Sequence, residues 1–293
     1  MIQLPKQLLV KASLLVAALA ASTSTIHAQQ LGWEGSTGVF VTPLAYTAAT
    51  PEHKFAPPTV SYHFLHAGDT IRIFNQTSIT SGFSNRVEFG YTRTEHAAGN
   101  NPTLSPLWTD GFNTFHGKGT LIRENAYKTK WMPQISTGFT VRSQVKNVGG
   151  VLNNKSTTNG DIYLVASKTI TQIKPIPVLI TGGIRGSNAQ LFGLAGNAPD
   201  WGALGFGSVA FVLKGPAKST IILAAEASQQ PNKIEGLAGA TMPTTMVYAA
   251  RVLPSSKLRL NVDFGMLQGP GRIAPGVDLG ARARPAFAVS YKF

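Results

Sequence analysis

The last thirteen residues, ARARPAFAVSYKF (281–293), alternate in character to the end of the chain. Phe293, Tyr291, Val289, Phe287 and Pro285 make one apolar set, and Lys292, Ser290, Ala288, Ala286 and Arg284 the other. A period of two places successive side chains on opposite faces, which predicts a strand. The same reading applies to LRLNVDFGM (258–266), where Leu258, Leu260, Val262, Phe264 and Met266 oppose Arg259, Asn261, Asp263 and Gly265. In QISTGFTVRSQV (134–145), Ile135, Phe139, Val141 and Val145 oppose Ser136, Gly138, Thr140, Arg142 and Gln144. NRVEFGYT (85–92) sets Val87, Phe89 and Tyr91 against Arg86, Glu88, Gly90 and Thr92. TTMVYAARV (244–252) sets Met246, Tyr248, Ala250 and Val252 against Thr245, Val247, Ala249 and Arg251.

Less regular strands are predicted at 38–46, 59–67, 69–80, 112–124, 161–171, 176–187, 201–214 and 219–229, for a total of about twelve, within ten to fourteen. Turn chemistry separates them, as in HAGD (66–69), KNVGG (146–150), LNNKSTTNGD (152–161), KGPAKS (214–219), LPSSK (253–257) and QGPGRIAPG (268–276). No break in composition divides residues 59–293, so they read as one all-β unit.

What covers the apolar faces decides the fold class. Charged residues make up 13% of the chain, about half the ~25% of soluble domains. The faces opposite the apolar ones carry Gly, Ser, Thr, Asn and single Arg residues, where a soluble sandwich would show Lys, Glu and Asp. Past the N-terminal region, no segment has the run of 18 or so apolar residues that a transmembrane helix needs. The expected fold is therefore a single antiparallel transmembrane β-barrel of about twelve strands, lipid on its apolar face and a polar interior. Tyr46, Tyr91, Trp201, Tyr248 and Tyr291 sit near strand ends, where interfacial girdles form.

The N-terminus fits export. Lys6 and Lys11 precede the apolar run ASLLVAALAA (12–21), and STSTIHA follows with a small residue at its end. This order predicts a signal peptide over 1–28, cleaved after about Ala28. Residues 29–58 then form an N-terminal segment that includes the strand at 38–46 and is long enough to plug a barrel. The chain has no Cys, so the exported fold stands without disulfides.

Net charge is +13, with Lys and Arg at 26 and Asp and Glu at 13. The bases are scattered along the strands, which argues against nucleic acid and for an acidic ligand or a lipopolysaccharide-rich surface. By parity, Arg86, Glu88, Arg142, Arg251, Arg259, Asp263, Arg282 and Arg284 line the lumen, and Arg185 joins them. Charged rings of this kind set ion selectivity in pores, and the excess of Arg predicts anion preference if the barrel conducts. The same residues serve equally as ion pairs filling a barrel that conducts nothing.

Other chemistry is thin. His63 and His66 in HFLH fall on opposite faces of a strand, with no acid cluster beside them, so no metal site is expected. Ser61 and His63 share a face, which leaves a lipid hydrolase as a distant alternative, with no G-x-S-x-G elbow to support it. GPAKST (215–220) has Val212 and Ala217 where a phosphate loop needs glycines, and reads as a turn. No cofactor is expected.

The terminal AVSYKF resembles the closing strand of bacterial outer-membrane proteins. That resemblance implies recognition of Phe293, with Phe287, Val289 and Tyr291 in register, by the barrel-assembly machinery. WEGSTGVFVTPLAYTA (33–48), NRVEFGYT, PQISTGFTVR (133–142) and GDIYLVASKTI (160–170) follow one another in an order that resembles YjbH-like outer-membrane proteins. This second resemblance covers about half of the mature chain and implies a link to exopolysaccharide export and its components. Together these readings give the outer membrane of a Gram-negative cell, termini on the periplasmic side. Two roles follow as expectations: a pore for small anionic or sugar-like solutes, or a non-conducting barrel that supports export through partners.

Overall fold

The computed structural model describes residues 31–293 except 98, 100–109, 145–157, 173–175, 236, 255–257 and 276. The expected signal peptide and its cleavage point lie outside the described residues, as do the turn at 146–150 and most of that at 152–161.

From Thr59 onward the alternating stretches become strands. The elements are β1 (Thr59–His66), β2 (Ile73–Phe83), β3 (Val87–Ala97), β4 (Phe112–Ile122), β5 (Gln134–Ser143), β6 (Asn159–Ile170), β7 (Val178–Gln190) and β8 (Gly196–Lys214). They continue with β9 (Thr220–Ser228), β10 (Lys233–Ile234), β11 (Leu237–Thr241), β12 (Thr245–Leu253), β13 (Leu260–Gln268), β14 (Arg272–Ala274), β15 (Val277–Asp278) and β16 (Arg284–Lys292). Twelve of them form one closed antiparallel barrel; β10–β11 and β14–β15 are small separate hairpins. Closure comes from β1, which pairs with both β2 and β16, as in Val60 opposite Tyr291 and Phe64 opposite Phe287. A closed barrel satisfies every strand's backbone groups and leaves no edge, the condition for crossing hydrocarbon with strands.

The two faces differ as lipid and lumen would. In β5, Gln134, Ser136, Thr140 and Arg142 are buried, while Phe139 and Val141 are 48% and 41% exposed. Phe115, Ile162, Ile184, Leu223 and Phe264 point outward in the same way, on different strands around the wall. A soluble monomer would not expose a continuous apolar wall of this extent. The chain is a transmembrane barrel.

One expected strand is absent. Residues 38–46 do not join the sheet. They belong to a segment, 31–48, that is largely buried and folds on itself through isolated bridges, Leu31 with Thr37 and Gly38 with Pro43, and through turn hydrogen bonds such as Trp33 N–H to the Phe40 carbonyl. Its apolar residues alternate because they meet inward-facing side chains: Val39, Leu44 and Tyr46 pack with Leu179, Ala210 and Ile222. Tyr46 is therefore a lumen residue and not part of an outer girdle.

The start of β1 and the end of β16 lie at one rim, together with the β2–β3, β4–β5, β8–β9 and β12–β13 connections. This is called the terminal rim below. At the far rim, Leu65, Phe74, Phe112, Phe192 and Leu194 cluster around Trp33 of the interior segment.

Candidate functional site: a segment seated in the lumen

The interior segment is held by barrel side chains from most of the circumference. Glu226 on β9 accepts three consecutive backbone N–H groups, from Phe40 at 2.8 Å, Val41 at 3.0 Å and Thr42 at 2.6 Å. Three successive amides converging on one carboxylate form an anion nest, here filled by the barrel wall. Glu88 on β3 grips the segment at two places. Thr37 donates to it from its N–H at 2.8 Å and from its hydroxyl, and the Ala48 N–H donates at 2.9 Å. Lys118 on β4 completes the cluster, 3.0 Å from Glu88 and 2.9 Å from the Thr37 carbonyl.

Arginine does the converse work on carbonyls and on the segment's own acid. Arg251 on β12 forms a two-point pair with Asp263 on β13 at 2.6 and 2.7 Å. Its remaining N–H groups reach the carbonyls of Val39 at 2.7 Å and Gly38 at 3.2 Å. Arg142 on β5 joins Glu34 to Asp161, with NH2 contacts of 2.7 and 2.6 Å. Arg185 on β7 donates to the Gln229 carbonyl at 2.8 Å and lies over the Phe192 ring. Burying Arg142 and Arg251 is tolerable because each has a carboxylate partner and further hydrogen bonds.

Hydroxyls and amides of the wall finish the seat. Ala45 donates to Ser167, and its carbonyl accepts from Gln134 and Ser136. Thr80 donates to the Gly35 carbonyl at 2.6 Å and Thr92 to that of Glu34 at 3.0 Å. Gly35 turns the chain at φ 81°, where a Cβ would come within 2.9 Å of the Ser78 Cβ.

The sequence-predicted lumen residues divide into three groups. Glu88, Arg142, Arg185, Arg251 and Asp263 are buried inside. Arg284 lies on the inward parity of β16 but only half-buried at the far rim, donating to the Gly280 carbonyl. Arg86, Arg259 and Arg282 are exposed and stand in connections, which corrects their placement. Alternation ends where the strand ends: Ser84 and Asn85 precede Arg86 with positive φ, Arg259 itself has φ 51°, and Ala283 after Arg282 has φ 46°. Parity missed Lys118, Asp161 and Glu226. Among the described residues buried in the wall, Lys118, Arg142, Arg185 and Arg251 face Glu88, Asp161, Glu226 and Asp263, four against four. The buried wall carries no excess of positive charge; Arg284 and Lys292, on the inward parity of β16, add two half-buried bases at its ends.

Phe287, Val289 and Tyr291 take the outward parity of β16, and the Phe293 N–H donates to the Pro58 carbonyl where the strand closes on β1. Ser61 and His63 both point into the lumen, but the Ser61 hydroxyl has no hydrogen-bond partner there, so the two do not form a pair. The His63 ring stands edge-on to Trp33 and Phe40 of the segment. No group of three metal-binding side chains occurs among the described residues.

A family profile matches residues 28–251, which include the whole interior segment and the wall strands that hold it, from β1 to the Arg251 position. The chain belongs to the family described as protein of unknown function DUF3034. No curated protein matches it in sequence. Among solved structures, the barrel is similar to the KdgM porin at 10% identity and TM-score 0.45, over 80% of this chain and 99% of that one. It is similar to the NanC porin at 9% identity and TM-score 0.47, over 80% and 98% of the two chains. An outer membrane channel from Pseudomonas putida F1 aligns at 11% identity and TM-score 0.44, over 84% and 97%. None of these comparisons supports the YjbH-like resemblance drawn from the sequence motifs.

Proposed function

We propose that this barrel is a porin-like channel of a Gram-negative outer membrane, held closed by its own N-terminal segment. It passes small solutes only when that segment moves. The observation that carries this reading is the seating of residues 34–48: Glu226, Glu88, Arg142 and Arg251, from four different parts of the wall, each hold segment atoms. A segment that merely filled space would need no such set of charge-assisted bonds.

Of the two solute classes expected from the sequence, sugar-like ones fit better. The buried wall charges balance, while Ser61, Gln76, Ser78, Thr92, Thr114 and Ser136 present hydroxyls and an amide on the inward face. Such groups hydrogen-bond polyols without selecting a charge. In this reading the start of β1 and the end of β16 face the periplasm, and Phe293 is the residue read by the assembly machinery.

The seated segment equally favours a second reading, a barrel that never conducts and supports polysaccharide export through partners. Liposome swelling separates the two. Vesicles holding the full mature chain should swell slowly in a small neutral sugar, and those holding E226A should swell at least several-fold faster. Equal and negligible rates for both would favour the non-conducting barrel. Fast swelling with the full chain would refute closure by the segment.

A further inference from the structure

The net positive charge of the chain is not spread over the barrel surface. At the terminal rim, Arg86 stands in the β2–β3 turn, Lys128 and Lys130 in the β4–β5 connection, Lys218 between β8 and β9, and Arg259 before β13, all exposed. Lys214 at the end of β8 and Lys54 beneath the interior segment are exposed beside them. Among the described residues only two acids share this rim, and each already has a base: Glu52 pairs with Arg123 at 3.1 Å and Glu124 with Lys168 at 3.2 Å. The far rim is different. There Asp69 stands near Arg72, Lys233 near Glu235, and Arg282 pairs with Asp278 at 2.8 Å.

The basic positions occur around the circumference and not on one side. They sit in connections as short as Ser84–Arg86 and Gly215–Ser219, directly beyond the outward apolar wall. Exposed aromatic rings share their level: Tyr127 and Trp131 flank Lys128 and Lys130 at 75% and 71% exposure, and Phe55 next to Lys54 is 67% exposed. A protein partner would meet one face of the rim, whereas a bilayer leaflet meets all of it. Aromatic rings and long basic side chains at one depth match the headgroup layer, with rings at its inner boundary and ammonium groups at its phosphates.

We propose that the terminal rim is a ring-shaped binding surface for the phosphate groups of anionic phospholipid in the leaflet around it. Among the described residues the far rim, where lipopolysaccharide was expected to meet the charge, carries no comparable excess. The inference rests on the barrel spanning a bilayer and not on its conducting, so failure of either leaves the other standing.

Trp131 supplies the probe. In the refolded mature chain with Trp33, Trp108 and Trp201 changed to Phe, fluorescence is quenched by lipid brominated at one acyl position, as either phosphatidylglycerol or phosphatidylcholine. The expected result is about threefold or greater preference for phosphatidylglycerol at low salt, shrinking as ionic strength rises. The K128Q/K130Q variant, altered only in an exposed connection, should lose most of that preference. Equal quenching by the two lipids overturns the proposal, as does a preference indifferent to both salt and the variant. Absence of lipid preference together with retention of an acidic envelope protein would also overturn it and give the rim to a protein partner.

Discussion

Glu226 and Phe40 lie 186 positions apart in sequence and 2.8 Å apart in space, joined by the Phe40 N–H donating to the Glu226 carboxylate. The same carboxylate holds the next two amides.

Glu226→Gln should therefore loosen the segment without disturbing the barrel. The amide keeps the shape but loses the charge and turns one of the two accepting oxygens into an N–H donor facing the segment's amides, at a cost of about 2 kcal/mol or more. That corresponds to roughly a thirtyfold rise in the unseated population. Limited proteolysis reads it: cleavage within 31–48 should accelerate by about that factor while the barrel strands stay protected.

Arg142 is a stronger test of stability than of opening. Arg142→Met leaves Glu34 and Asp161 buried without their shared cation, a situation that costs about 3–5 kcal/mol. The guanidinium unfolding midpoint should fall accordingly. Adding Glu34→Gln should recover part of the loss, because one of the two stranded carboxylates is removed, and the double-mutant cycle should show positive coupling.

Gly35→Val acts on the segment's turn. At φ 81° a β-branched residue is strained, and its Cβ would meet the Thr92 hydroxyl at 2.7 Å. Trp33, two residues away and 3% exposed, reports the outcome. With Trp33 as the sole tryptophan, acrylamide quenching should be weak in the parent and several-fold stronger in the variant.

Selectivity follows from the four-against-four balance of the wall. A chain beginning at residue 49, which keeps all four buried acids, should show a reversal potential near zero in a salt gradient, and Arg259→Glu should leave it unchanged, since Arg259 stands outside the lumen. A shift on changing Arg259 would return that residue to the pore.

The barrel was legible because lipid and lumen impose opposite demands on alternate residues, and Val87, Phe139 and Phe264 fall on the correct side without exception. The interior segment was legible as a stretch able to plug, but its 38–46 portion reads as a strand, since alternation says that two surfaces differ and not which surfaces they are. The inward apolar residues Leu179, Ala210 and Ile222 were the available signal, for a water-filled lumen has no use for them. Glu226 was missed because its strand, TIILAAEAS, is apolar or small on both faces. Arg86, Arg259 and Arg282 were placed wrongly because parity was carried past the last hydrogen-bonded residue into turns.

The most direct test of closure by the N-terminal segment is the current through single barrels in a planar bilayer. The full mature chain, refolded and inserted, should stay silent at moderate voltage, whereas E226A and a chain beginning at residue 49 should give discrete conductance steps. Steps of equal size and frequency from the full chain would contradict the account.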